Sequence, residues 1–491
     1  MSTSPIVRRV AEWVAAATPQ AVPRRVLEEA KNQVLGMIAA VHAGHFSDSG
    51  RIISRTVKEW SGNKEATLLP SGERTGVHAA IAGNTALALA LDYDDYLFGA
   101  RTGATAVLAT MAVAEKVNAG GSEFLLAQVA ANEIGGRLGL STALAIPEAA
   151  LAGFVHLAGG AVIGASLFKL DAAQTEHALG IALAQMGPMA PAAAYGSEAR
   201  MLSAALTAPV GVQAAEFAAN GMRGAHDPLE GDGGLFRRLD RPPLLGAFSG
   251  LGSQWLTESL GYKIYPGSLY LATIIDCVLG LVRQHHLDPR KVHAIHVSAG
   301  PHALAMDGRS APHVRGTDSL PVTLTQSVAY PVAAAVIERE LSPRQFGRDR
   351  IGNAAIWELA AKVRLSLDDD LARRARDRSP LRVVGDDGSS AQLFDLGACD
   401  LNAYKATIGA RVRIEMEGGR SFDMEQDVPI GSGARPFDDR RKAVEDKFRR
   451  ETRYTLRKER MEKAIDIVHH LEDANAAQIR ELARLCCSEK G

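Results

Sequence analysis

The chain has 491 residues, 55 Lys+Arg against 56 Asp+Glu, a formal net charge of -1, and 46% hydrophobic with 23% charged residues. A balanced charge removes the global attraction that draws proteins to nucleic acid or anionic membrane, and this composition excludes disordered and fibrous classes. Four scattered cysteines, Cys277, Cys399, Cys486 and Cys487, offer neither a disulfide framework nor CxxC metal spacing, which fits a reducing cytoplasm.

The N-terminus alternates apolar and charged residues, so no signal peptide is expected. Ser4-Pro5 predicts a helix start with Ile6, Val10 and Val14 on one face, and a second helix is expected from Pro23. Ala- and Leu-rich helical segments then recur at 78–91, 105–118, 122–138, 154–169, 171–186 and 199–220. The stretch 149–168 is as long as a membrane span, with His156 its only ionisable group. Its small residues, Gly160 and Gly164 among them, suit a buried helix that neighbours approach closely. No membrane association is expected.

After Lys263-Ile264-Tyr265-Pro266-Gly267 the pattern changes. A helix at 270–284 leads to β-branched strands at 291–297 and 362–367, and alternation across 410–416 and 421–424 around Gly418-Gly419 predicts a hairpin. From Pro436 the chain is again helical and densely charged, and its interleaved acids and bases read as a solvated helix face that would repel phosphate. The expected fold is mainly α with an α+β insert: a helical domain over 1–262, an α+β lid over 263–404, and a return to the helical domain over 405–491 that begins with the hairpin.

The most informative stretch is the apolar run from Asn84 that ends in Asp92-Tyr93-Asp94-Asp95-Tyr96. Three carboxylates at a helix C-terminus oppose both one another and the helix dipole, so arginine, backbone donors or a metal must compensate. Such a trio caps a loop or binds Mg²⁺, although no second oxygen-rich motif accompanies it. Just beyond, Ala100-Arg101-Thr102-Gly103 enters a helix whose N–H groups, with Arg101, suit a carboxylate or phosphate. No HExxH, GxSxG, P-loop or GxGxxG signature appears in its required context.

These residues, with Asn132-Glu133-Ile134 through Arg137-Leu138, Gly196-Ser197-Glu198-Ala199-Arg200, Tyr265-Pro266-Gly267 and Ala329-Tyr330, resemble in order the MmgE/PrpD family. The resemblance implies a helical domain built from both chain ends, a central α+β lid, a homodimer, and a site between domains that handles small di- and tricarboxylates without metal or organic cofactor. It places the family's DxDD aspartate on Asp92, the following threonine on Tyr96, a loop histidine on Thr102, a lysine on Arg200, the lysine before Tyr-Pro on Lys263, a lid histidine on Ala272, and the lid tyrosine on Tyr330. Another family histidine falls near His156, out of register.

On this reading Arg101, Arg200 and Lys263 bind substrate carboxylates, with Thr102 and Tyr96 in the same subsite. His156 and Tyr330 exchange protons, oriented by Asp92 or Asp95. The activity implied is dehydration of a 2-methylcitrate-like acid. The alternatives are an isomerase or epimerase of a small dicarboxylate, or a catalytically impaired subunit partnering a second family member, motivated by Thr102 and Ala272 where histidines are expected.

Overall fold

The computed structural model describes residues 4–60, 62–98, 100–145, 153–186, 195–378, 395–401 and 407–488. The helices of ten or more residues in the first part are α1 (Ile6–Ala16), α2 (Arg24–His45), α3 (Asp48–Lys58), α4 (Val77–Leu89), α5 (Gly103–Val117), α6 (Gly121–Thr142), α7 (Gly153–Leu167), α8 (Ala172–Leu183) and α9 (Ala208–Ala219). The lid carries α10 (Ala272–His285), α11 (Pro301–Ser310) and α12 (Ala329–Glu338), and the C-terminal part carries α13 (Phe437–Thr452), α14 (Lys458–His469) and α15 (Ala476–Leu485).

Helix starts follow local chemistry. Pro5 and Pro23 sit at the N-caps of α1 and α2, Asp171 and Gln174 form a capping box on α8, and Asn475 caps α15 with Gln478. The single helix expected across 199–220 is broken instead. A turn at Glu198–Met201 and a short helix at Leu202–Ala205 precede α9, whose second residue is Pro209, a residue that cannot continue a helix ladder from upstream.

Alpha-helical packing here depends on small residues. A Cβ on Gly160 of α7 would lie 2.3 Å from the Ala208 carbonyl oxygen, and one on Gly211 of α9 would lie 2.2 Å from that of Leu157. Backbones this close leave no room for side chains between them. Segment 149–168 is thereby accounted for over its described part: α7 is buried within the helical body, and no helix among the described residues is long and apolar enough to cross a membrane.

Among the described residues the strands are β1 (Ala66–Leu68), β2 (Glu73–Thr75), β3 (Asp95–Tyr96), β4 (Gly261–Tyr262), β5 (Val292–Ala299), β6 (Val363–Leu367), β7 (Ala410–Met416) and β8 (Ser421–Gln426). They form two small antiparallel pairs, β1-β2 and β3-β4, and one mixed sheet ordered β6-β5-β7-β8. Parallel pairing of β5 with β6 sets Ile295 opposite Val363, while antiparallel β7 sets Ile414 opposite Ile295. The hairpin expected to head the C-terminal return is bonded into this sheet through β5, because Val412 and Ile414 share the apolar face that α10 covers. The chain re-enters the helical body at α13, which packs on α2.

Helix α13 differs from the solvated face expected of its charges. Arg440, Lys447 and Glu451 are buried: Arg440 pairs with Glu29 at 2.6 Å, and Lys447 reaches the acidic turn described below.

Candidate active site

Asp92 follows the end of α4 with a φ of +50°, a left-handed conformation that an L-residue other than glycine adopts at a cost. The bend turns the chain so that Asp92, Asp94 and Asp95 enter the interior together, and all three are buried. Strand β3 then pairs with β4, setting Asp95 opposite Tyr262 and bringing Lys263, the next residue along, against the turn. The Lys263 backbone N–H donates to the Asp94 carbonyl at 3.2 Å.

Three cations meet at two of these carboxylates. Lys263 Nζ donates to Asp92 Oδ1 at 2.7 Å, to the Asp92 carbonyl at 3.1 Å and to Asp94 Oδ1 at 2.9 Å. Arg101 holds Asp94 through two bonds, Nε to Oδ2 at 2.7 Å and Nη2 to Oδ1 at 2.6 Å, and its Nη2 also pairs with Asp92 Oδ1. From the segment after α8, Arg200 Nη2 reaches Asp92 Oδ2 at 3.0 Å. The lid adds Gln326, whose amide donates to the same oxygen at 2.6 Å. Burial alone would raise the pKa of Asp92, but the attraction of Arg101, Lys263 and Arg200 outweighs it and holds the carboxyl well below the usual range. Asp94 is lowered on the same balance, through Arg101 and Lys263.

Asp95 has different surroundings. Its carboxylate accepts from the Gly103 N–H at the start of α5, at 3.1 Å, and from the Gln33 amide. Burial, with the neighbouring charge of Asp94, pushes it up to about 6. Thr102 joins the amide network that supports it: its hydroxyl donates to Asn132 Oδ1 at 2.7 Å, and the Asn132 amide donates to Gln33 Oε1 at 2.8 Å.

His156 projects from α7, fully buried, with Nδ1 bonded to the Thr105 hydroxyl at 2.8 Å. Burial and the nearby Arg101 lower its pKa to about 4, so at neutral pH it is an uncharged imidazole able to take a proton. Thr105 lies two residues after Gly103, whose N–H donates to Asp95, so this bond sets His156 beside the cluster.

The remaining expected residues lie elsewhere. Tyr96 and Asp95 alternate across β3, and the Tyr96 ring is seated on Gly261, where a Cβ would lie 2.0 Å from it. Tyr330, expected to exchange protons, is a lid-core residue instead. Its hydroxyl donates to the Gln345 carbonyl, and its ring packs against Phe346 and Trp357 with centroids 6.1 Å and 5.2 Å away. The phase of α12 turns it toward that side, and no group of the Asp92 cluster is among these partners.

Two further groups fix the turn from behind. Lys447 Nζ donates to the Tyr93 carbonyl at 2.7 Å and lies 3.8 Å from the centre of its ring, while the Tyr93 hydroxyl donates to the Ile264 carbonyl at 2.9 Å. Burial, opposed in part by Glu451, lowers Lys447 to about 7. The Asn132–Leu138 motif works as a clamp: Glu133 accepts from the N–H groups of Leu256 and Thr257 at 3.0 and 2.9 Å, and Arg137 donates to the Ala247, Ser249 and Gln254 carbonyls. These bonds fix the chain that leads into β4 and Lys263.

Sequence alone did not point to Gln326, Gln33 or Thr105. Neutral amides and hydroxyls far apart in the chain carry no local charge conflict that would have flagged them.

A helical body, an α+β lid and a cationic, amide-lined acidic turn between them agree with the relationships found. The MmgE/PrpD N-terminal domain matches residues 8–244 and the MmgE/PrpD C-terminal domain matches residues 265–393, and the chain belongs to the MmgE/PrpD family, a family of lyase type. Among curated relatives, the cis-aconitate decarboxylase-like protein oryM of Aspergillus oryzae is 25% identical over 404 residues, 73% of this chain and 79% of its own. The cis-aconitate decarboxylase of Aspergillus terreus is 24% identical over 417 residues, 79% of this chain and 84% of its own.

Proposed function

We propose that the protein is a cofactor-independent lyase acting on a small di- or tricarboxylate, by proton removal next to a carboxylate and loss of a β-hydroxyl as water. The observation that carries this reading is the convergence of three buried cations, Arg101, Arg200 and Lys263, on Asp92 and Asp94. Cations gathered at one buried turn offer an incoming carboxylate charge-assisted partners that it would share with Asp92 and Asp94. Arginine suits a carboxylate because its fork can bind both oxygens. His156 is the base of this reading, neutral at pH 7 and beside the cluster. A homodimer in solution, expected from the family, goes with the proposal.

A second reading, decarboxylation, is favoured by the relatives named as cis-aconitate decarboxylases. It uses the same anion subsite but breaks a C–C bond instead of C–O.

The test is to incubate the purified protein with hydroxy- and unsaturated di- and tricarboxylic acids and follow product mass and solvent deuterium. Loss of water supports the first reading and loss of carbon dioxide the second. Deuterium uptake without a new product would indicate an isomerase or epimerase. No turnover of any acid rejects the lyase proposal and leaves the impaired-subunit alternative.

A further inference from the structure

The two histidine positions filled by Thr102 and Ala272, and the commitment of Tyr330 to the lid core, leave the proposed reaction short of a proton donor. A phenol elsewhere fits that task. Tyr195 lies immediately before Gly196-Ser197 and is 8% exposed. Its hydroxyl accepts from Arg309 Nη1 of lid helix α11 at 3.3 Å, and the Arg309 guanidinium carbon lies 6.0 Å from the ring centre. Arg200, the cation that pairs with Asp92, follows Tyr195 in the same segment, and the lid stretch whose Gln326 donates to Asp92 also reaches Tyr195.

Its position is held from several sides. The lid residue Thr323 donates its hydroxyl to the Tyr195 carbonyl at 2.9 Å. A Cβ on the next residue, Gly196, would lie 2.3 Å from the His313 ring, so the lid closes directly on the backbone there.

We propose that Tyr195 is the proton donor of this site and that Arg309 is its positioning residue, supplied by the lid. The inference rests on the lyase reading above. In dehydration, His156 takes the proton from the carbon next to the carboxylate, and the C–H electron pair forms the new C=C bond. The β C–O bond breaks, its electrons leave on the hydroxyl oxygen, and the Tyr195 O–H supplies the proton that makes it water. The phenolate left behind keeps the Arg309 guanidinium as its partner, and it regains a proton from solvent as His156 loses its own. Because Arg309 belongs to the lid and Tyr195 to the body, the donor is complete only when the two meet.

The experiment compares kcat and substrate affinity for wild type, Tyr195→Phe, Arg309→Gln and the double variant, on whichever polycarboxylate the wild type turns over. Phenylalanine keeps the ring and its packing. Tyr195→Phe is expected to bind the acid within about threefold of wild type while kcat falls roughly 10²–10⁴-fold, the usual loss for a missing acid or base. Arg309→Gln is expected to lower kcat in the Tyr195 background and to have little further effect once Tyr195 is phenylalanine. Turnover by Tyr195→Phe near the wild-type rate overturns the donor assignment and leaves the lyase reading intact. Additive losses in the double variant overturn the positioning role of Arg309. Absence of turnover in the wild type overturns the lyase reading and this inference with it.

Discussion

Lys263 Nζ lies 2.7 Å from Asp92 Oδ1 and 2.9 Å from Asp94 Oδ1, so a single ammonium from the entry to the lid holds both acids of the turn. With the Asp92 carbonyl as its third acceptor, all three of its protons are used. Replacing Lys263 by methionine leaves two buried carboxylates with one cation fewer. The expected loss is about 3–5 kcal/mol of unfolding free energy, the usual result of breaking one side of a buried pair. Urea unfolding checks it, and a loss below about 1 kcal/mol would mean that Arg101 and Arg200 suffice.

Asp95 gives the fold an acid-side signature. Its pKa of about 6 lies above the ordinary carboxyl value of roughly 3.9. Between those values the folded chain keeps a proton that the unfolded chain has lost. Its contribution is therefore fully present below about pH 4 and lost as pH rises through 6. Asp95→Asn is expected to flatten the slope of stability against pH in that window, by an amount on the order of 2–3 kcal/mol across it. Asp92 and Asp94, both lowered, act in the opposite sense and lose their contribution only at lower pH, as each is protonated. Urea midpoints taken from about pH 4 to pH 7 separate the two behaviours.

Gly261 has no room for a methyl group beneath the Tyr96 ring. Gly261→Ala is expected to cost about 1–3 kcal/mol through overpacking. Combined with Tyr96→Ala it should cost less than the two single changes added together, because the clash is with that ring. Additive thermal shifts would place the strain elsewhere.

Thr105 bonds Nδ1 of His156 and so sets the orientation of that imidazole. Under the proposed function, His156→Gln is expected to lower kcat roughly 10²–10⁴-fold. Thr105→Val removes the hydroxyl partner of a buried ring nitrogen and should destabilise the fold by about 1–3 kcal/mol. Turnover of the best acid and denaturant midpoints read the two effects separately.

Much of the fold was legible because its signals are local. Proline and Asx residues mark helix starts, alanine-rich apolar runs mark buried helices, and period-two alternation marks β7 and β8. The acidic turn stood out as a conflict of like charges, and Lys263 and Arg200 were found by resemblance; both now pair with Asp92. The failures involve orientation and long-range burial. A motif can place Tyr330 on a helix without giving the rotation that turns it to Gln345. Lys447, in a stretch where acids and bases alternate, reads as solvated, since nothing nearby reveals that Tyr93 will cover it. Ala208-Pro209 was a visible break inside a segment read as one helix.

The bond from Lys447 to the Tyr93 carbonyl spans 354 residues of chain. A ribosome makes the acidic turn early and its backing lysine near the end of translation. Nascent chains and products truncated before α13 therefore carry three clustered acids with that support missing, and the turn gains its full anchorage only once synthesis is almost complete.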